Sequence, residues 1–191
     1  MQLNVPAGVQ TNDLLIAEVA VRGGSRLVIT APSGWTLVRR DDSSSSVAQT
    51  IYQHAVAGAS SEPSSYTWTF SNANDAAGGI LAYTGASIVT PVDVSNGQGN
   101  ATSAAIAAPS VTIPAGHNAD LLLGLFSIAN SSSVTAPAGM AQRWSFHAVG
   151  GGIAVAAADL QLAAAGATGN QTATAATAAA NAGSLVAVLP Q

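Results

Sequence analysis

Three tryptophans, three histidines and nine carboxylates carry most of the chemistry open to this chain of 191 residues. Trp35, Trp68 and Trp144 could each offer a flat apolar face, with an N–H at its edge, to a sugar ring or another planar ligand. Trp68 lies in the run Tyr66-Thr67-Trp68-Thr69-Phe70, where aromatics take one face of a strand and threonines the other. That alternation assigns Trp68 to a core. Trp35 and Trp144 stand as candidate ligand-binding residues beside their own core readings, with Arg143 as the polar neighbour of Trp144.

His54, His117 and His147 lack the close pairing usual among zinc ligands, so their spacing assigns them neither a metal nor a catalytic role. Asp41-Asp42, and Asp93 with Ser95 and Asn96, offer oxygens that calcium could use. Neither has the dense alternating acids of a calcium loop, and both read as solvated turn residues. Asp13 and Asp120 each precede a Leu-Leu pair, where an Asp accepts backbone N–H groups and closes a turn. Serines cluster in runs such as 43–46 and 131–133, and nothing nominates a base to activate one. No nucleotide-binding loop, metalloprotease motif or nucleophile elbow occurs. The expectation is no catalytic residue, no metal, no cofactor and no enzymatic activity.

Charged residues make up 7% of the chain, against about 25% in ordinary domains. Five arginines, no lysine and a net charge of −4 argue against nucleic acid as a partner. Cysteine is absent, which excludes disulfides and thiolate metal sites. Mean hydropathy is +0.35, but alanine supplies most of it. No uninterrupted apolar run of about 18 residues predicts membrane insertion. No basic and apolar leader precedes the first strand. The chain is therefore expected either to act without that export route or to come from a longer parent.

The elements that must position these residues repeat. Val5-Pro6-Ala7-Gly8 returns as Ile113-Pro114-Ala115-Gly116, an offset of 108. Asp13-Leu14-Leu15 returns as Asp120-Leu121-Leu122, and Thr30-Ala31-Pro32-Ser33-Gly34 as Thr135-Ala136-Pro137-Ala138-Gly139, at offsets of 107 and 105. Trp35 then falls on Met140, Trp68 on Ala173 and Arg39 on Trp144. Strands are predicted over 13–21, 27–30, 35–40, 47–56, 66–70 and 79–84. Those of the second unit are predicted over 104–113, 120–128, 140–149, 152–162, 171–176 and 184–189. Polar loops are expected over 41–46 and 57–65, and a Gly/Asn/Ser-rich connector follows the first unit. Helix competes over 154–165 and 173–182, where alanine dominates, but threonines, flanking glycines and the repeat favour strand.

The fold expected is all-β: an antiparallel, jelly-roll-like β-sandwich built from two sequence-related units of five to six strands each. Residues 1–191 form one domain, with pseudo-repeats 1–88 and 109–191 joined by a connector, 89–108. The alternative is two small tandem β domains with the same boundaries.

Asp13-Leu14-Leu15, Ala31-Pro32-Ser33-Gly34-Trp35-Thr36-Leu37, Tyr66-Thr67-Trp68-Thr69-Phe70 and Gly78-Gly79-Ile80-Leu81-Ala82-Tyr83-Thr84-Gly85 together give a family resemblance. Nearly the whole chain resembles a β-sandwich module of phage virion proteins and bacterial surface proteins, often found beside fibre or adhesin-like regions. The resemblance brings no catalytic residues with it. It implies a structural virion protein: a capsid decoration or cement protein, a head fibre or a tail component. Such a protein works by subunit packing, as a homo-oligomer and with other virion proteins. The alternative is a carbohydrate- or receptor-binding, adhesin-like module of a fibre or bacterial surface protein. It would be extracellular or on the bacterial cell surface, with a surface glycan or receptor as its partner.

Overall fold

Alternating and continuous apolar runs both become strands here, and which of the two a strand shows depends on how many layers cover it. The computed structural model describes residues 1–72 and 74–191. In the first half lie β1 (Gln2–Asn4), β2 (Leu14–Arg22), β3 (Ile29–Thr30), β4 (Thr36–Ser43), β5 (Val47–Ala55), β6 (Ser65–Thr67), β7 (Thr69–Phe70) and β8 (Ala76–Tyr83). Then come β9 (Val92–Ala108), β10 (Thr112–Ile113), β11 (Leu121–Ile128), β12 (Val134–Thr135), β13 (Ala141–His147), β14 (Ala154–Gln161), β15 (Gly166–Ala167) and β16 (Gln171–Val188). Among the described residues no α-helix forms, and every strand pairing is antiparallel.

Two larger sheets share one strand order. The first runs β4-β5-β2-β8; the second contains β13-β14-β11-β16, with β9 added beyond β16. Short pairs lie outside each: β1 with β6 and β3 with β7 in the first half, β10 with β15 and β12 with the start of β16 in the second.

The apolar residues sort into layers. On β2, Leu15, Ala17, Val19 and Val21 point to an outer core with Trp35, Tyr52 and Trp68. Leu14 and Ile16, on the opposite face, pack with Ile51, Leu81, Leu123, Leu125, Ala157 and Val186 in a layer between the two sheets. A second outer core holds Ile106, Leu122, Phe126, Ile128 and Leu185. Burial on both faces is why residues 14–21 read as an apolar run interrupted only by Glu18. β14 obeys the same rule with alanines, whose small side chains fit where layers close on both sides. Packing thus overrides their helix propensity.

Four expectations need correction. The connector 89–108 is mostly strand, because β9 pairs with β16 almost along its length and its backbone groups are satisfied there despite the loop-like composition. Residues 171–188 form one strand rather than two, bridged by that same pairing. The run 66–70 is split at Trp68, because β6 pairs with β1 and β7 with β3; Trp68 between them donates its backbone N–H to Met1 O at 2.9 Å. Asp41 and Asp42 lie in β4, not in a loop, and each pairs with the arginine two residues before it on the same face: Arg39 Nε–Asp41 Oδ2 at 2.6 Å and Arg40 Nε–Asp42 Oδ1 at 3.0 Å.

Candidate functional site

The sequence of β13, Ala-Gln-Arg-Trp-Ser-Phe-His, puts Trp144 and Phe146 on one face two residues apart. Their rings stack with centroids 5.2 Å apart and planes 13° from parallel. β13 is an edge strand, and the pairing with β14 slips by one residue at Arg143. Such irregularities re-aim side chains. Arg143 turns to Asp159 on β14, with Nε–Oδ2 of 2.6 Å and Nη2–Oδ1 of 2.7 Å. Tyr83, from β8 of the other sheet, donates its hydroxyl to the same Asp159 Oδ2 at 3.0 Å. Burial and the adjacent Asp159 charge raise the Tyr83 hydroxyl above its ordinary pKa. The triad therefore ties the two sheets through a carboxylate that is itself 3% exposed.

Trp144 lies against Gly79 of β8. A Cβ added at Gly79 would come within 2.8 Å of the indole Cε2, so the glycine is what lets the ring rest on the strand. The indole Nε1 is buried and has no hydrogen-bond partner among the described residues. Two open depressions flank the ring. One, of about 530 Å³, lies between Leu3, Val5 and Gly78 on one side and Trp144 and Phe146 on the other. The second, of about 430 Å³, is bounded by Pro6, Val9, Ile80, Arg143 and Trp144. Together they make a groove beside the open edge of β8, which among the described residues has a single hydrogen-bonded neighbouring strand, β2. This groove has stacked rings, an unpaired strand edge and an arginine already held by a carboxylate. Its stacked rings and open strand edge are shaped for a flat ligand or an incoming strand.

The candidate residues therefore part company. Trp144 and Arg143 share the groove. Trp35 is 8% exposed and lies in the outer core of the first half. Its ring meets Trp68 at 5.1 Å, Tyr66 at 5.3 Å and His54 at 5.3 Å, which leaves no free face for a ligand. His54 is engaged locally, with Nδ1 2.9 Å from Gly34 O and Nε2 3.2 Å from the Tyr66 hydroxyl.

A second cluster gathers residues that lie far apart in sequence. His117 was assigned no role, yet its Nδ1 lies 2.9 Å from Asp93 Oδ2, and Asp120 completes a group whose ligand-type atoms all fall within 4.8 Å of one another. Asp93 and Asp120 are also more than solvated turn and turn-closing residues. Asp93 sits in β9 where the register slips between Val92 and Val94, and its side chain is 9% exposed. Asp120 is fully buried. Burial, reinforced by contact with Asp93, pushes its carboxyl up to about 6. The hydrogen bond with Asp93 raises His117 above the usual imidazole value.

The surroundings of Asp13 and Asp120, each of which precedes a Leu-Leu pair, differ. Asp13 closes its turn as expected, accepting Gln10 N–H at 2.7 Å and the Thr84 hydroxyl at 2.7 Å. Thr84 follows the residue paired with Leu14; the residue that follows the one paired with Leu121 is Leu189, which offers no donor side chain. Comparison with protein-family models, with curated proteins and with solved structures finds no match.

Proposed function

We propose that this chain is a non-enzymatic structural protein of a virion, a head decoration or cement protein, a head fibre or a tail component, acting through packing against copies of itself and other particle proteins. The observation that carries the reading is the unguarded groove. β8 contains no charged residue along its open edge, and Phe146 on the facing edge is 48% exposed beside Trp144. Strand edges of soluble proteins are ordinarily protected by lysine, proline or a covering element, because an open edge invites another chain. An uncharged edge backed by stacked rings suits coverage by a neighbouring subunit. The virion location rests on the motif resemblance, and the two halves are read as copies of one jelly-roll-like module. Their shared strand order supports that reading.

Light scattering across a concentration series is expected to give a defined oligomer, and the double variant Trp144→Ala/Phe146→Ser a folded monomer. Mass spectrometry of particles purified from the encoding system should find the chain in fixed ratio to the major subunits. A protein that stays monomeric at millimolar concentration and is absent from particles overturns the proposal. A second reading, a glycan- or receptor-binding module, is favoured by the same stacked pair, since sugar rings pack on such faces. Glycan-array binding by the monomer, lost in Trp144→Ala, would select it.

A further inference from the structure

Asp120 presents a problem that the fold does not solve. Its side chain is wholly buried, and among the described residues neither carboxylate oxygen has a hydrogen-bond partner. A buried carboxylate in that state is costly unless a proton or a cation neutralises it. The equivalent Asp13 shows what full satisfaction looks like, with one oxygen on a backbone N–H and the other on a hydroxyl. Register confirms the equivalence of the hydroxyl position. Tyr83 opposes Leu14 just as Val188 opposes Leu121, so Thr84 in the first half corresponds to Leu189 in the second. At Asp120 the acid remains while its donor is gone. In that donor's stead stand the Asp93 carboxylate and the His117 imidazole.

We propose that Asp93, His117 and Asp120 form a binding site for a divalent transition-metal ion of the zinc type. Two carboxylates and one imidazole are a ligand set suited to such ions, with water or a group from another chain in the fourth place. Calcium, which takes oxygen ligands, makes no use of the imidazole. A tetrahedral ion with bonds of about 2.0 Å spaces its ligands about 3.3 Å apart. That separation falls between the 2.9 Å of the Asp93–His117 contact and the 4.8 Å that bounds the cluster. The His117 side chain is 41% exposed, so an ion can enter from that side. On binding, the proton on His117 Nδ1 leaves to solvent or moves to Nε2, and the hydrogen bond to Asp93 is replaced by two bonds to the ion. The site joins the start of β9 to the turn before β11, so a bound ion staples the segment linking the two halves onto the second sheet. The proposal is independent of the assembly reading.

Isothermal titration of the full chain with zinc chloride tests it, together with thermal unfolding with and without the metal. One ion per chain is expected, with a melting temperature that climbs as zinc is added. His117→Ala and Asp120→Asn should each weaken zinc binding at least tenfold. His54→Ala removes the other histidine facing a carboxylate and should leave zinc binding unchanged. If Asp120→Asn does not fold, His117→Ala, at a half-exposed side chain, carries the test. The proposal is overturned if millimolar zinc gives no heat, if His117→Ala binds zinc as the parent does, or if calcium binds more tightly than zinc and ignores His117→Ala.

Discussion

Glu18 is a carboxylate in the middle of an apolar strand, fully buried between the sheets. Its Oε1 accepts from Gln49 Nε2 at 2.6 Å, and Gln49 Oε1 in turn lies 2.7 Å from the Ser184 hydroxyl of the second half. Oε2 has no partner among the described residues. Burial pushes the Glu18 carboxyl well above its ordinary value, opposed by the Gln49 hydrogen bond. The folded protein thus keeps a proton that the unfolded chain releases above about pH 4.3. Below that value both states hold it and folding bears no penalty. As pH rises, stability falls by about 1.4 kcal/mol per unit until the folded carboxyl itself ionises. Glu18→Gln mimics the protonated form and keeps the contact with Gln49. Urea titrations from pH 4 to 8 should show the slope in the parent and a flatter profile in the variant. Equal slopes would mean that Glu18 is not held neutral.

At the level of elements, β9 is the piece that sequence signals hide. Gly, Asn and Ser ordinarily mark loops, yet here the glycines permit a close approach. A Cβ at Gly99 would collide with the Asp42 backbone carbonyl, and one at Gly97 would meet the Ser184 hydroxyl at 2.7 Å. Ser43 Oγ donates to Asn100 O at 2.6 Å across the same contact. β9 therefore closes the side of the molecule between β4 and β16, and it needs bare backbone to do so. Replacing a strand glycine by alanine at an open position stabilises by roughly 0.5–1 kcal/mol. At Gly99 the sign should reverse, with Gly99→Ala costing about 1–3 kcal/mol through overpacking. Chemical denaturation reads the sign directly, with the exposed Ala101→Ser as a neutral control. The same reasoning marks what the sequence could disclose. Strands whose periodicity reflects their own burial, β2, β5 and β11, were legible, as was the repeated order of turns. β9 was not, because its partner lies some eighty residues away and its composition records a neighbour's carbonyl rather than a core. Of the site, Trp144 and Arg143 were legible as neighbours in sequence. Asp93 was legible only as an oxygen donor beside Ser95 and Asn96, because His117 and Asp120, its neighbours in the fold, lie more than twenty residues further along the chain.

For the molecule as a whole, the layer between the sheets decides whether two halves make one cooperative unit. Leu14, Ile16, Ile51 and Leu81 meet Leu123, Leu125, Val186 and Val188 there. Polar links cross the same boundary: Ser184 Oγ lies 2.8 Å from Asp41 Oδ2, and Arg22 donates to Ala129 O at 3.3 Å. Separating the halves would expose this apolar layer to water and break the Ser184–Gln49 hydrogen bond between them. Neither half should therefore outlive the other. Calorimetry is expected to give a single transition with equal calorimetric and van't Hoff enthalpies. Leu123→Ala places a cavity in the central layer from the second half and should cost about 2–5 kcal/mol. In a Trp144→Phe background, tryptophan fluorescence comes from Trp35 and Trp68 alone, both in the outer core of the first half. Leu123→Ala should shift that fluorescence transition by as much as the circular dichroism transition of the whole chain. If fluorescence stays in place while circular dichroism moves, the halves unfold separately, and the central layer is a contact between two domains rather than the middle of one.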